Sequence, residues 1–117
     1  MLKTKHKPFI LFLSYIFMDK NYFNRLYKKE EIHWGLNPNK CVIDILKYKN
    51  SGTVLDLGVG EGRNSLFLAK NGFKVTGVDI SEEAIKKFKS LAKNLGIDAL
   101  ICDIREFKFT KEYDVII

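Results

Sequence analysis

The stretch Val54–Asn64, which reads VLDLGVGEGRN, constrains the fold of this 117-residue chain more than any other part of its sequence. A short apolar run, Thr53–Leu57, is typical of a buried strand. It enters a loop with glycine at every second position, and the loop leads into a helical pattern from Asn64 to Lys70. A strand that passes through such a loop into a helix is typical of nucleotide-binding α/β folds.

Strands and helices alternate after this stretch. The predicted further strands are Phe73–Val78 with Asp79 at its end, Ile97–Cys102 and Tyr113–Ile117. A helix capped by Ser81 separates the second and third strands, and its expected apolar face is Ala84, Ile85, Phe88, Leu91, Ala92 and Leu95. Alternating strands and helices predict an α/β fold with a Rossmann-like parallel sheet, and the length allows one domain.

We divide the chain into an apolar N-terminal extension (1–18), a helical segment (19–52) and the Rossmann-like domain (53–117). In the helical segment, Asn37 and Pro38 predict a cap and first helical position. The apolar run 9–18 is too short to span a membrane, which takes about 20 residues. Three interpretations of it remain open: a buried element, a weak membrane-surface anchor, or a translation start that truly lies at Met18.

The composition excludes several classes of protein and argues against some partners. With 46% hydrophobic and 29% charged residues, the chain is neither disordered, collagenous nor a polytopic membrane protein. Residues 1–50 hold the entire net charge of +6, so the predicted binding domain is neutral, which argues against a nucleic-acid partner. Cys41 and Cys102 form neither a CxxC pair nor a metal cluster, so we expect two buried thiols, no metal site and a cytoplasmic location.

The glycines at 58, 60 and 62 and the acid Asp79, 21 residues after the first of them, predict a nucleoside ligand. A strand-end acid accepts hydrogen bonds from ribose hydroxyls, and glycine lets the backbone approach the ligand closely. The spacing is GxGxG, with Arg63 where a dinucleotide loop has its third glycine. Two acids, Asp56 and Glu61, flank the loop and would repel a pyrophosphate but not a cationic ligand.

The segment VLDLGVGEGRNSLFLAKNGFKVTGVDIS resembles the first two motifs of class I S-adenosylmethionine-dependent methyltransferases. The run from Gly62 to Phe73, with Asn21-Tyr22-Phe23 and Tyr27 ahead of it, is similar to the tellurite-resistance branch. The resemblance covers residues 19–117 and implies the sheet order 3-2-1-4, which this chain would hold incompletely. It departs from the family at Val59, where a small residue or Cys is usual.

The resemblance also implies a cofactor, S-adenosylmethionine, and a role for each matching residue. Gly58, Gly60 and Gly62 would line its methionine part, and Asp56 would support the loop and the amino group. Asp79 would hold the ribose. Three further positions would contact the adenine, namely Ile80, Asp103 and the backbone of Ile104. Taken alone, Asp103 is more typical of a turn.

The sequence does not identify the residues that bind the methyl acceptor. The resemblance implies that most residues facing the methyl acceptor follow the fourth strand, where this chain stops, so no catalytic residue is predicted. A small-molecule acceptor is favoured, and we expect self-association through the open sheet edge. Trp34 either belongs to a segment that folds over the cofactor pocket or anchors the first helix, while His33 is expected at the surface. The alternatives are a non-catalytic nucleoside-binding fragment and, less favoured, a nicotinamide-dependent dehydrogenase.

Overall fold

A computed structural model describes residues 19–117, and the apolar run with its three interpretations lies outside them. The strands are β1 (Gly52–Leu57), β2 (Phe73–Asp79), β3 (Ile97–Ile101) and β4 (Val115–Ile116). The helices are α1 (Lys20–Tyr27), α2 (Lys40–Asp44), α3 (Arg63–Lys70) and α4 (Glu82–Leu91), with a 3₁₀ turn at Ile45–Lys47.

The four strands form one parallel sheet in the order β3-β2-β1-β4. This order and the α/β class confirm the predicted Rossmann-like fold. Strand β1 lies inside the sheet, and its residues Val54 and Leu55 are fully buried. Such a strand is covered on both faces, which explains why its sequence is a continuous apolar run and not an alternation.

Helix α4 begins as predicted at Ser81, whose hydroxyl accepts a hydrogen bond from the amide of Ala84 (3.1 Å). Ala84, Ile85 and Phe88 are buried on its inner face. The expected burial of Leu91 is wrong, because this side chain is 37% exposed where the helix ends.

Helix α1 packs against α4 and so belongs to the same folded unit as the sheet. Asp19 caps α1 by accepting from the amide of Tyr22, and Tyr27 is buried at its other end. The side-chain oxygen of Asn24 accepts a 2.7 Å hydrogen bond from the Ser81 hydroxyl. The cap of α4 is therefore also a contact with α1.

Helix α2 begins later than predicted. Asn39, and not Asn37, precedes its first turn, and the carbonyl of Asn39 accepts from the amides of Val42 and Ile43. The amide of Asn39 donates to the side chain of Asn64 (2.9 Å), which holds this residue in an extended conformation outside the helix.

The prediction of two buried thiols is wrong for Cys41, which is exposed on α2, and Cys102 is half-buried.

The apolar core consists of two clusters. One joins α2 and α3 to β1 and β2, and the other joins α4 to the glycine loop. Their buried members are Val42, Val54, Leu68, Phe73 and Val75 in the first, and Val59, Leu66, Ile85, Phe88 and Ala92 in the second.

Asp114 fastens β4 to the start of β1. Its carboxylate accepts from the amide of Thr53 (2.8 Å), and its own amide donates to the Thr53 carbonyl (3.0 Å). Gly52 makes room for this contact, since a Cβ there would lie 2.7 Å from the Asp114 carboxylate. Within residues 19–117, no helix is long and apolar enough to cross a membrane.

Candidate functional site

The loop between β1 and α3 carries three glycines whose φ angles are all positive: 79° at Gly58, 58° at Gly60 and 94° at Gly62. Other residues adopt such angles only with strain, so the conformation requires glycine. The amides of Gly58 and Val59 both donate to the carbonyl of Val78 at 2.8 and 2.9 Å. The loop is thereby fixed to the end of the neighbouring strand β2.

The three glycines differ in what surrounds them. A Cβ at Gly62 would lie 2.2 Å from the ring of Phe88, and one at Gly60 would lie 3.0 Å from the hydroxyl of Tyr27. A Cβ at Gly58 would meet nothing within 4 Å. Two glycines therefore make room for protein side chains, and Gly58 leaves open space above the loop.

Asp79 stands at the end of β2, as predicted, and is 92% buried. Its two carboxylate oxygens accept hydrogen bonds from the amides of Gly60 (2.8 Å) and Ser81 (2.9 Å). Burial raises the pKa of this carboxyl, and the bonds from backbone amides counteract the rise. The acid thus positions the glycine loop at the carboxyl end of β2.

Asp56 lies within β1, two residues before the first glycine, and is buried. Its carboxylate accepts a 2.6 Å hydrogen bond from the hydroxyl of Ser65 on α3. Burial raises the pKa of Asp56 to about 6, and the charge of Asp79 adds to the rise. At neutral pH this carboxyl is charged although its burial opposes the charge. Carboxyls with a pKa perturbed in this way are concentrated at functional sites.

Glu61 has a different role from the expected one. Its side chain is 2% exposed, and its carboxylate pairs with the ammonium of Lys87 on α4 (3.0 Å). The other oxygen accepts from the amides of His33 (2.7 Å) and Trp34 (3.4 Å). The prediction that Glu61 repels an anionic ligand is wrong, because the charge is neutralised by Lys87 and turned toward the protein.

The segment between α1 and α2, residues 28–39, reaches the loop through Trp34. The indole N–H of Trp34 donates to the hydroxyl of the buried Tyr27 (3.0 Å), while 56% of the residue stays exposed. Trp34 therefore contacts the end of α1, so neither of its two expected roles is excluded. The ring of His33, which is exposed as predicted, contacts that of Trp34 edge to face at 4.5 Å.

These elements enclose an open cavity of about 250 Å³ above the glycine loop. Asp79 does not line this cavity itself but is hydrogen-bonded to Gly60, which does. The lining residues are Tyr27, Trp34, Gly35, Asp56, Gly58, Val59, Gly60, Glu61, Gly62, Arg63 and Asn64. The lining thus brings acidic, basic and aromatic residues together with the glycine loop, which is a set suited to a small zwitterionic ligand.

The three residues predicted to contact an adenine lie outside this cavity lining. Ile80 follows β2 and is half-buried, whereas Ile104 is 52% exposed. Asp103 accepts from the amide of Arg105 (2.9 Å), which is the turn that its sequence indicates. The Arg105 guanidinium also lies against this carboxylate and lowers its pKa to about 2.

Sequence reasoning named Tyr27 only as part of the family resemblance, missed the Glu61–Lys87 pair and assigned no role to Ser65. Tyr27 carried a weak signal, since it is the last aromatic of an amphipathic helix. The pairing of Glu61 with Lys87 had no signal in the sequence. The two residues lie 26 positions apart, and glutamate and lysine are both usually found at the surface of a protein. In the described part of the chain, no group of His, Cys, Asp and Glu is placed to hold a metal ion.

A parallel sheet in the order 3-2-1-4, a GxGxG loop after β1 and an acid closing β2 define the fold of class I S-adenosylmethionine-dependent methyltransferases. The sequence model of the family described as "Tellurite resistance protein TehB" matches residues 15–117. The chain belongs to the TehB family.

Individual relatives agree with this assignment. The "Probable S-adenosyl-L-methionine-dependent methyltransferase TehB" of Haemophilus influenzae is 33% identical over 107 residues, which cover 90% of this chain and 35% of that protein. The crystal structure of Haemophilus influenzae TehB has a TM-score of 0.63 and 33% identity, over 83% of this chain and 32% of that one.

The plantazolicin methyltransferase BpumL, solved in complex with SAH, has a TM-score of 0.53 and 32% identity. The match covers 62% of this chain and 29% of BpumL. The chain thus spans about a third of the length of the relatives it matches.

Proposed function

We propose that this chain is the cofactor-binding portion of an S-adenosylmethionine-dependent methyltransferase that acts on a small molecule. The observation that carries the proposal is the bond from Gly60 to Asp79, which joins the glycine loop to the strand-end acid beside an open cavity. The family and the SAH-bound structure of BpumL support the choice of cofactor.

The residues of the cavity fit the methionine part of this cofactor. The open space beside Gly58 is a cradle that a Cβ would fill. Asp56 offers a buried carboxylate for the amino group, and the Arg63 guanidinium offers a positive charge for the carboxylate. Gly60 and Gly62 complete the loop beneath the ligand.

The nucleoside part would extend from the cavity along the ends of β2 and β3. Asp79 would accept from the ribose hydroxyls, and Ile80 would pack on the adenine. Asp103 would accept from the adenine amino group, next to the backbone of Ile104, in place of part of the Arg105 bonding that now involves both of its carboxylate oxygens. These roles come from the family resemblance and agree with the position of each residue at a carboxyl end of the sheet.

When bound, S-adenosylmethionine supplies a methyl group on a positively charged sulfur. The residues of this chain bind and orient that group, and orientation supplies much of the acceleration in such a displacement. Asp56 and Trp34 line the same cavity. We assign no catalytic residue within the chain. We also place the reaction in the cytoplasm, because the two cysteines are free thiols.

Calorimetric titration of the purified chain tests the proposal. We expect binding of S-adenosylmethionine and of S-adenosylhomocysteine, and none of NAD. Binding of NAD alone would favour a dehydrogenase, and binding of no nucleoside would contradict the proposal. Binding without methyl transfer, even after addition of the part of a TehB relative that this chain does not match, would favour the non-catalytic fragment.

Self-association through the sheet edge is a further part of the proposal. Among the described strands, none pairs with the outer edge of β4, and Ile116 there is 54% exposed. An apolar unpaired edge favours pairing with a second copy. Sedimentation should show dimers or larger species that Ile116→Lys reduces, and a monomer at all concentrations would contradict this part.

A further inference from the structure

We propose that Trp34 is a specificity residue whose indole face makes the cavity prefer a positively charged sulfonium ligand over its neutral thioether product. This inference rests on the proposed function and concerns the same cavity. It assigns to one side chain the discrimination between S-adenosylmethionine and S-adenosylhomocysteine, which differ by one methyl group and one charge.

The position of Trp34 is the first argument. It is the single tryptophan of the chain, and 56% of it is exposed although it is a large aromatic residue. Its surroundings are not bulk surface, because it lines the same cavity as Asp56 and Gly58. An aromatic face beside a carboxylate in a concave site is an arrangement suited to a cation.

The second argument is that Trp34 is held in place. Its indole N–H is bonded to Tyr27, which is 95% buried, and its backbone amide faces the buried carboxylate of Glu61. Lys87 completes this support, since its ammonium pairs with Glu61 and also donates to the carbonyl of Glu31 (2.8 Å). Fixing an aromatic ring before the ligand arrives lowers the entropy cost of binding.

The third argument is that, within residues 19–117, no cation already lies over the indole, whose ring contact is the edge-to-face one with His33. Among residues 19–117, the cation found over an aromatic ring is Lys111 over Tyr113, so Arg63 does not stack on Trp34. A cation over a Trp ring gains about 0.5–2 kcal/mol, which corresponds to about a two- to thirtyfold preference. Methyl transfer removes the charge, and the preference would then favour release of the product.

The test is a pair of calorimetric titrations, with S-adenosylmethionine and with S-adenosylhomocysteine, on the chain and its variants. Trp34→Leu should lower the affinity ratio of the two ligands by at least threefold. Trp34→Phe should retain more of the preference, because a ring remains. Tyr27→Phe, which removes the acceptor of the indole N–H, should reduce the ratio less than Trp34→Leu.

Tyr48→Leu is the matched control, since Tyr48 is an aromatic residue 85% exposed outside this cavity, and it should change neither affinity. Circular dichroism and urea unfolding establish that each variant is folded. If Trp34→Leu lowered the affinities for both ligands equally, the inference would be overturned and the proposed function would remain intact. If the unsubstituted chain binds neither ligand, both the proposed function and this inference fail.

Discussion

The amide of Gly60 donates a 2.8 Å hydrogen bond to the carboxylate of Asp79, so the acid that closes β2 also sets the shape of the loop that follows β1. We expect Asp79→Ala to weaken S-adenosylmethionine binding at least tenfold, because two hydrogen bonds to a charged acceptor are lost. It should also lower the free energy of unfolding by about 1–3 kcal/mol, since buried amides lose their partner.

Asp79→Asn is the control, because its side chain keeps one acceptor oxygen. Its affinity for S-adenosylmethionine and its free energy of unfolding should both lie between those of the unsubstituted chain and those of Asp79→Ala. Calorimetry and urea unfolding measure the two effects. An affinity unchanged in Asp79→Ala would remove this residue from the site.

Asp56 should make the stability of the protein depend on pH. Burial raises its folded pKa from 3.8 to about 6, so the folded protein binds more protons than the unfolded chain between these values. The free energy of unfolding should therefore fall as the pH rises from about 4 to about 6. The raised pKa of Asp79 acts in the same direction.

Asp56→Asn should remove most of that slope and stabilise the protein at pH 7 by up to about 3 kcal/mol, while weakening cofactor binding. Urea unfolding at several pH values measures the slope. Asp103 is a poor explanation for the same slope, because its lowered pKa of about 2 places its effect below pH 4 and with the opposite sign. An unchanged slope in Asp56→Asn would show that this carboxyl does not cause it.

The glycines of the loop should respond differently to alanine. Gly62→Ala should cost about 3 kcal/mol of stability, because its Cβ would overlap the ring of Phe88 and its φ is positive. Gly58→Ala should cost about 1 kcal/mol from the backbone alone, yet it should impair cofactor binding because its Cβ enters the open space.

Chemical unfolding measures both costs, and Phe88→Leu combined with Gly62→Ala should recover part of the first. Equal stabilities of the two single variants would contradict the assignment of Phe88 as the neighbour that requires glycine at position 62.

The buried pair of Glu61 and Lys87 should contribute far more than an exposed pair. Lys87→Met leaves a carboxylate that is 2% exposed without its cation, and we expect a loss of about 3 kcal/mol. Lys20→Met breaks the exposed pair with Glu82 and should cost less than about 1 kcal/mol.

A double-mutant cycle with Glu61→Gln isolates the interaction. The double variant should be more stable than Lys87→Met alone, because the unpaired charge is gone. A cost for Lys87→Met as small as that for Lys20→Met would contradict the proposed support of the segment around Trp34.

The parts of the fold that were predictable depend on local signals. The apolar run of β1, the glycines after it and the cap at Ser81 each specify their own conformation. The strand order followed from the family resemblance. The start of α2 was mispredicted because Asn64, a residue 25 positions away, binds the amide of Asn39. Local capping preferences contain no information about such a partner.

The candidate site, like the fold, was predictable where local sequence signals determine the position of a residue. The glycines, Asp56 and Asp79 lie where strand ends and loop spacing place them. Glu61 was expected to repel a pyrophosphate because it flanks the loop, and its buried partner Lys87, which lies on another helix, was not foreseen. The contribution of Trp34 and Tyr27 depends on how the N-terminal segment packs over the loop, which no periodicity in that segment encodes.

The attachment of β4 to β1 bears on the order in which the sheet forms. Thr53 and Asp114 lie 61 positions apart, whereas the register of β1 with β2 joins Thr53 to Lys74. Closing the longer loop costs more chain entropy, and β4 contributes two paired residues against six for β2. We expect β1 and β2 to pair first and β4 to dock last, so amide hydrogens at the β4 edge should exchange fastest and those of β2 slowest.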